Sequence, residues 1–256
     1  MFTRICCLLS LLLLLPGLVM AQAERRVFEP VPERVAAPGG SGAPSDAIVL
    51  FDGTDLSAWR QIRTGEAPGW RINDDGSVTV VPRTGSIETR QAFGNVQMHL
   101  EWRTDPTEVG EGQALGNSGI FFQSLYEVQI LESSANPTYV NGQAGSVYLQ
   151  QAPLVNASRP AGEWQSYDIV FTAPVWDDRG NLQSPAYITL FHNGVLVQNH
   201  AEIQGMTFTP EPEYLASCVP YQLEGERDCT GKLPLRLQDH GQIVSFRNIW
   251  IRELDN

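Results

Sequence analysis

The stretch Val96-Gln97-Met98-His99-Leu100-Glu101-Trp102-Arg103 alternates apolar and polar residues for eight positions without a break. Successive side chains of a strand point to opposite faces. A period of two therefore makes one apolar face (Val96, Met98, Leu100, Trp102) and one polar face (Gln97, His99, Glu101, Arg103). Outward from this stretch, residues 77–81, 119–122, 126–131, 167–171 and 244–251 also read as strands. Residues 186–191 and 195–198 flank His192-Asn193-Gly194, and Asn-Gly is the strongest short hairpin signal. No window gives a convincing long amphipathic helix. Many short strands at turn spacing predict an all-β fold, an antiparallel sandwich or jelly roll.

The chain has 256 residues, 42% hydrophobic and 18% charged, an ordinary globular mix that can bury a sizeable core. All-β units commonly reach this size as one domain. The formal charge is −12 and the pI is near 4.7. A polyanionic partner needs a basic footprint, so nucleic acid is excluded as a partner, and an anionic membrane surface is disfavoured.

Residues 1–21 read as a signal peptide. Arg4 precedes a leucine-rich run over 8–15, Pro16 and Gly17 break it, and Val19-Met20-Ala21 supplies small residues for cleavage. The run is too short to span a bilayer, although a retained anchor is the alternative. The mature chain would begin near Gln22, be periplasmic or secreted, and keep no membrane attachment. Residues 22–46, rich in Pro, Ala and Gly, read as a flexible tether before a domain over 47–256. Export leaves two cysteines, Cys218 and Cys229, eleven positions apart. In an oxidising compartment they read as one disulfide, with half of a metal site as the alternative.

Three segments place polar residues in apolar strand context: 116–122, 126–132 and 237–241. In the second, Glu127, Gln129 and Leu131 share one face while Val128 and Ile130 share the other. A sheet face carrying Glu and Gln builds a polar groove, and sugars suit such a groove because their hydroxyls need several fixed donors and acceptors. Glu127 and Glu132 are five positions apart and point to opposite faces of a regular strand, which disfavours a two-carboxylate glycosidase within this segment. Asp239-His240 follows a strand and precedes Gly241, so a loop can present the imidazole to a cleft. His99 shares its strand's polar face with Glu101 and Arg103, and His192 and His200 read as structural. Scattered Asp, Glu and His could hold a divalent ion, but no H-x-H or H-E-x-x-H spacing supports one. There is no glycine-rich phosphate loop and no G-x-S-x-G elbow.

Seven motifs then occur in order: "LFDGTDLSAW" from Leu50, "GNSGIFF" from Gly116, "YEVQIL" from Tyr126, "APLVNAS" from Ala152, "EWQSYD" from Glu163, "FHNGVLV" from Phe191, and "LQDHG" from Leu237 followed by "FRNIWIR" from Phe246. Together they resemble the 3-keto-disaccharide hydrolase family over about 48–254. The resemblance implies a concanavalin A-like jelly-roll sandwich of two antiparallel sheets. It also implies cleavage of glycosidic bonds in 3-keto-glycosides, by hydrolysis or by 1,2-elimination and hydration. A C3 ketone acidifies the C2 proton, and its removal lets the C1 substituent leave. That chemistry needs a base, a group polarising the ketone and an acid rather than two opposed carboxylates. Where many relatives have glycine, this chain has Leu149.

The expected catalytic group is His240, oriented by Asp239, with Glu127 as partner acid–base or metal ligand. Gln129, Asn117, Gln238, Arg103 and Glu101 would hold the oxidised sugar. The rival reading is a non-catalytic lectin-like module in which Trp59, Trp70 or Trp164 stacks on sugars. A glycanase acting on unoxidised polysaccharide is a third.

Overall fold

The computed structural model describes residues 30–36, 39, 42–177, 179–209, 211–214, 219–220, 227–228 and 231–254. The signal segment 1–21, residues 22–29, 37–38 and 40–41 of the 22–46 tether, Cys218 and Cys229 lie outside the described residues.

The strands in chain order are β1 (Ile48–Phe51), β2 (Trp59–Gln61), β3 (Arg71–Ile72), β4 (Val78–Thr79), β5 (Ile87–Phe93), β6 (Val96–Thr104), β7 (Ser118–Phe122) and β8 (Tyr126–Ile130). They continue with β9 (Gln165–Thr172), β10 (Val175–Trp176), β11 (Leu182–Ser184), β12 (Tyr187–His192), β13 (Val195–Glu202), β14 (Val219–Pro220), β15 (Arg227–Asp228), β16 (Leu233–Leu237) and β17 (Val244–Glu253). An eight-stranded antiparallel sheet runs β13-β12-β9-β6-β17-β4-β3, with β1 also on β17. A five-stranded sheet runs β2-β5-β16-β7-β8. Two-stranded ribbons, β10-β11 and β14-β15, complete the strand set. Helix among the described residues is limited to two three-residue 3₁₀ turns, Gly112–Ala114 and Val140–Gly142.

The two large sheets pack face to face, as the alternating pattern requires. Met98, Leu100 and Trp102 of the first sheet join Ile120, Phe122, Val128, Ile130, Leu235 and Leu237 of the second in one buried core. The fold is therefore an all-β jelly-roll sandwich, as the period of two predicts, and of the concanavalin A-like kind that the family resemblance implies. Trp59 and Trp70 are core residues whose indole N–H groups donate to the carbonyls of Leu50 and Gly85. This corrects their candidacy as sugar platforms: burial of a large ring outweighs display.

Two local features aim side chains. The 192–195 hairpin closes with Asn193 and Gly194 both at positive φ (53° and 78°), the backbone of a type I′ turn. In β17 the register slips between Arg247 and Trp250, with Asn248 at φ 49°. This bulge breaks the strand's alternation, so both Arg247 and Asn248 reach Glu101 on the outer face. Beyond it, Ile249 and Ile251 return to the core.

Candidate active site

The outer face of the five-stranded sheet is built by register. Arg236 of β16 stands opposite Phe121 of β7, and Phe121 opposite Glu127 of β8. One row further, Gly119 stands opposite Gln129, and the Gln238 N–H donates to the Gly119 carbonyl. Residues with the other parity point into the core, so Glu127, Gln129, Arg236 and Gln238 share the outer face. Beyond β8, Val147 bridges to Val128 and the Tyr148 N–H donates to the Glu127 carbonyl, which places Tyr148 beside Glu127.

Loops cover this face, so its polar groups are buried rather than solvated. Glu127, Gln129, Asn117 and Gln238 are 2%, 1%, 4% and 7% exposed. Gln113, from the first 3₁₀ turn, organises part of them: its Oε1 accepts from Gln129 Nε2 at 2.9 Å, and its backbone carbonyl accepts from Asn117 Nδ2 at 2.9 Å. The Glu127 N–H donates to Thr207 Oγ1. Phe208 packs on Phe121 and on Tyr148, each at 5.9 Å between ring centroids, and the Tyr148 hydroxyl pairs with that of Tyr139 at 2.6 Å. Phe208 and Tyr139 remain exposed. The result is a polar floor beneath an aromatic rim, the composition a sugar ring requires.

Glu127 is the chemical centre. Its carboxyl lies over Gly119, its Oε2 is buried with no hydrogen-bond partner, and burial raises its pKa to about 8, against a smaller lowering by Arg236. Gln129 Oε1 and Gln238 Oε1 are likewise buried without partners on the same face. Buried polar atoms left unpaired are rare, and three together mark a site that awaits polar ligand atoms. Burial, reinforced by Tyr139 and Glu127, raises the Tyr148 phenol above its usual value, so it stays neutral and able to donate.

The structure brings Glu127, Gln129, Asn117 and Gln238 together. Asp239 does not orient His240. Its carboxylate accepts from the backbone N–H groups of Gly85 and Gly241, while His240 Nδ1 sits 2.9 Å from Gln242 Oε1. The short Asp-x-Gly turn satisfies the carboxylate locally. His240 is exposed, two residues beyond Gln238, within about 7 Å of it along the chain.

Glu101 and Arg103 are not part of this face. Their strand, β6, belongs to the other sheet, and their side chains point away from the core onto its outer surface. There Glu101 pairs with Arg247 and Asn248, and Arg103 pairs with Asp75. Glu132 is also apart from Glu127, its carboxylate accepting from the Ser134 backbone and hydroxyl. Among the described residues, no three His, Cys, Asp or Glu side chains gather as a metal site.

Sequence reasoning missed Gln113, Tyr148, Phe208 and Arg236. Arg236 was readable, since Leu235 and Leu237 flank it with core parity; the other three come from loops that carry no periodicity.

A jelly-roll sandwich whose sheet face carries a buried acid, unpaired amides and an aromatic rim is a carbohydrate-active enzyme. Residues 46–252 match the model of the 3-keto-alpha-glucoside-1,2-lyase-like domain, and the chain belongs to that family. It is 45% identical to a Parabacteroides distasonis ATCC 8503 protein whose crystal structure, at 2.13 Å, is assigned to the glycosyl hydrolases; the match covers 90% of this chain and 95% of that one, with a TM-score of 0.80. It is 24% identical to a 3-keto-disaccharide hydrolase of Bacteroides thetaiotaomicron over 83% of this chain and 81% of the relative. A second P. distasonis structure, at 1.70 Å, shares the fold at 20% identity and TM-score 0.54, over 82% of this chain and 94% of that one.

Proposed function

We propose that the protein cleaves the glycosidic bond of 3-keto-glycosides by 1,2-elimination followed by hydration. The observation that carries this reading is Glu127: a buried carboxyl with a pKa of about 8 beside a cation and the two open amide oxygens of Gln129 and Gln238. A base of that strength is matched to a C2 proton acidified by a C3 ketone, whereas an ordinary glycosidase would need a second carboxylate facing it.

In this mechanism the aromatic rim of Phe208, Tyr139 and Tyr148 seats the ring. Gln129, Gln238 and Asn117 hold its hydroxyls. Ionised Glu127 takes the C2 proton, and the charge that develops on the C3 oxygen is stabilised by Arg236. The electron pair then expels the C1 substituent, whose oxygen receives a proton, the role assigned to the exposed His240. Water adding across the C1–C2 double bond gives the free 3-keto sugar.

The test is release of sugar from a 3-keto-disaccharide, with the unoxidised disaccharide as control. Glu127→Gln and His240→Ala should each lose most turnover. Full turnover in both variants overturns the assignment.

Export belongs to the same proposal. The chain would act in the periplasm or outside the cell, after cleavage before Gln22, with Cys218 and Cys229 joined. Terminal sequencing of the exported protein and thiol titration of the denatured, unreduced chain check this; an intact Met1 or two reactive thiols would contradict it.

A further inference from the structure

On the outer face of the eight-stranded sheet lies an open groove of about 430 Å³. It is on the opposite side of the sandwich from Glu127. Trp164 and Trp250 wall it, and His99, Glu101, Asp168 and Arg159 line it. His99 is buried (4% exposed) and its ring stacks on Trp250 at 5.4 Å between centroids. Asp168 Oδ1 holds His99 Nδ1 at 2.6 Å, which leaves Nε2 as the ring nitrogen open to a ligand. That Nε2 is buried and has no partner. It stands 3.8 Å from Glu101 Oε1, too far for a hydrogen bond. A hydroxyl resting against both atoms would be within hydrogen-bonding reach of each.

The rim supplies further partners. Half of the Asp168 side chain is exposed, and Arg159 is exposed with one nitrogen on the Trp164 carbonyl. Arg247, fixed by Glu101, and Arg103 both lie over the Trp164 ring, at 4.2 and 4.5 Å from its centroid. In the lining Glu101 and Asp168 balance Arg159 and Arg247, and Arg103 is balanced by Asp75, so neither sign is in excess. A chain of charge −12 adds no attraction for a polyanion. Closely spaced donors and acceptors between indole walls suit a neutral, polyhydroxylated ring.

We infer that this groove is a second saccharide-binding site, separate from the Glu127 face, which takes a neutral pyranose unit of an unoxidised glycan. A hydroxyl of that unit fills the gap between His99 Nε2 and Glu101. The site holds glycan without reacting with it, because its buried carboxylate, Glu101, is already engaged by Arg247 and Asn248. The inference does not depend on the 3-keto chemistry.

The experiment titrates the full-length protein with maltotriose and with cellotriose, one α-linked and one β-linked unoxidised glucan, and reads binding by calorimetry. At least one should bind. His99→Phe keeps the ring stack on Trp250 but removes Nε2, and should weaken binding about tenfold, the cost of one good hydrogen bond. Arg159→Ala, at an exposed position that leaves the fold intact, should weaken it similarly. Both variants should turn over a soluble 3-keto-disaccharide at the rate of the unaltered protein. Absence of binding by either oligomer, undiminished binding in both variants, or loss of binding only in Glu127→Gln overturns the second site. Failure of the 3-keto assay with the binding pattern intact would overturn the proposed reaction and leave this site standing.

Discussion

The Glu127 carboxyl occupies the space that a side chain at position 119 would need: a β-carbon on Gly119 would collide with its Oε1. The close approach is made possible by register, since Gly119 lies in the neighbouring strand, one row from Phe121, which faces Glu127. Gly119→Ala should therefore displace the carboxyl. Overpacking of this kind costs about 1–3 kcal/mol. The fall in kcat/KM should exceed what that loss of stability explains, and thermal unfolding measured beside turnover separates the two.

The raised pKa of Glu127 makes stability depend on pH. The unfolded carboxyl ionises near its ordinary value of 4.5, while the folded one stays protonated to about 8. The contribution is fully present below the unfolded value and is lost as pH rises through the folded one. Stability should fall between pH about 4.5 and 8 by on the order of 5 kcal/mol from this group, then level off. Glu127→Gln should flatten that slope, which urea midpoints across the pH range will show.

Activity should run the other way. If ionised Glu127 takes the C2 proton, kcat/KM should climb with pH through an apparent pKa near 8. A profile that falls through the same range would mean that the protonated carboxyl acts instead.

Phe208 is 63% exposed and holds a left-handed backbone (φ 67°) while its ring packs on Tyr148 and Phe121. A side chain kept in that conformation at the rim serves the ligand more than the fold. Phe208→Ala should raise KM about tenfold, the size of a lost aromatic contact, with little change in kcat. Unfolding temperature should barely move.

Asp239 and His240 should separate in their effects. Asp239 holds Gly85 and Gly241 through backbone N–H bonds, so Asp239→Ala should cost about 1–2 kcal/mol of stability. His240→Ala, at an exposed position, should leave stability unchanged and reduce turnover. Denaturant midpoints and steady-state kinetics on the two variants distinguish these roles.

Much of the site was legible because strand parity is a local property. Glu127 and Gln129 fall on one face, and Val128 and Ile130 on the other, whatever the partners are. Glu101 and Arg103 obey the same rule within β6, yet they serve the opposite surface. Parity says which residues share a face, not which sheet that face belongs to. The spacing of Phe246, Ile249 and Ile251 is irregular for a strand, and only the bulge at Asn248 explains it.

The amino-acid order alone determined that the chain forms short antiparallel strands around one apolar layer, and that the acid Glu127 and the amide Gln129 stand together on a strand face. Those outcomes follow from side-chain alternation and turn chemistry, which act over a few residues. The tertiary structure decided the rest: that β16 lies against β7, that loops bury Glu127 and so raise its pKa, and that His99 meets Asp168 and Trp250 across three strands. These depend on contacts between residues up to 151 positions apart, and desolvation, which sets the proton affinity, exists only once those contacts close.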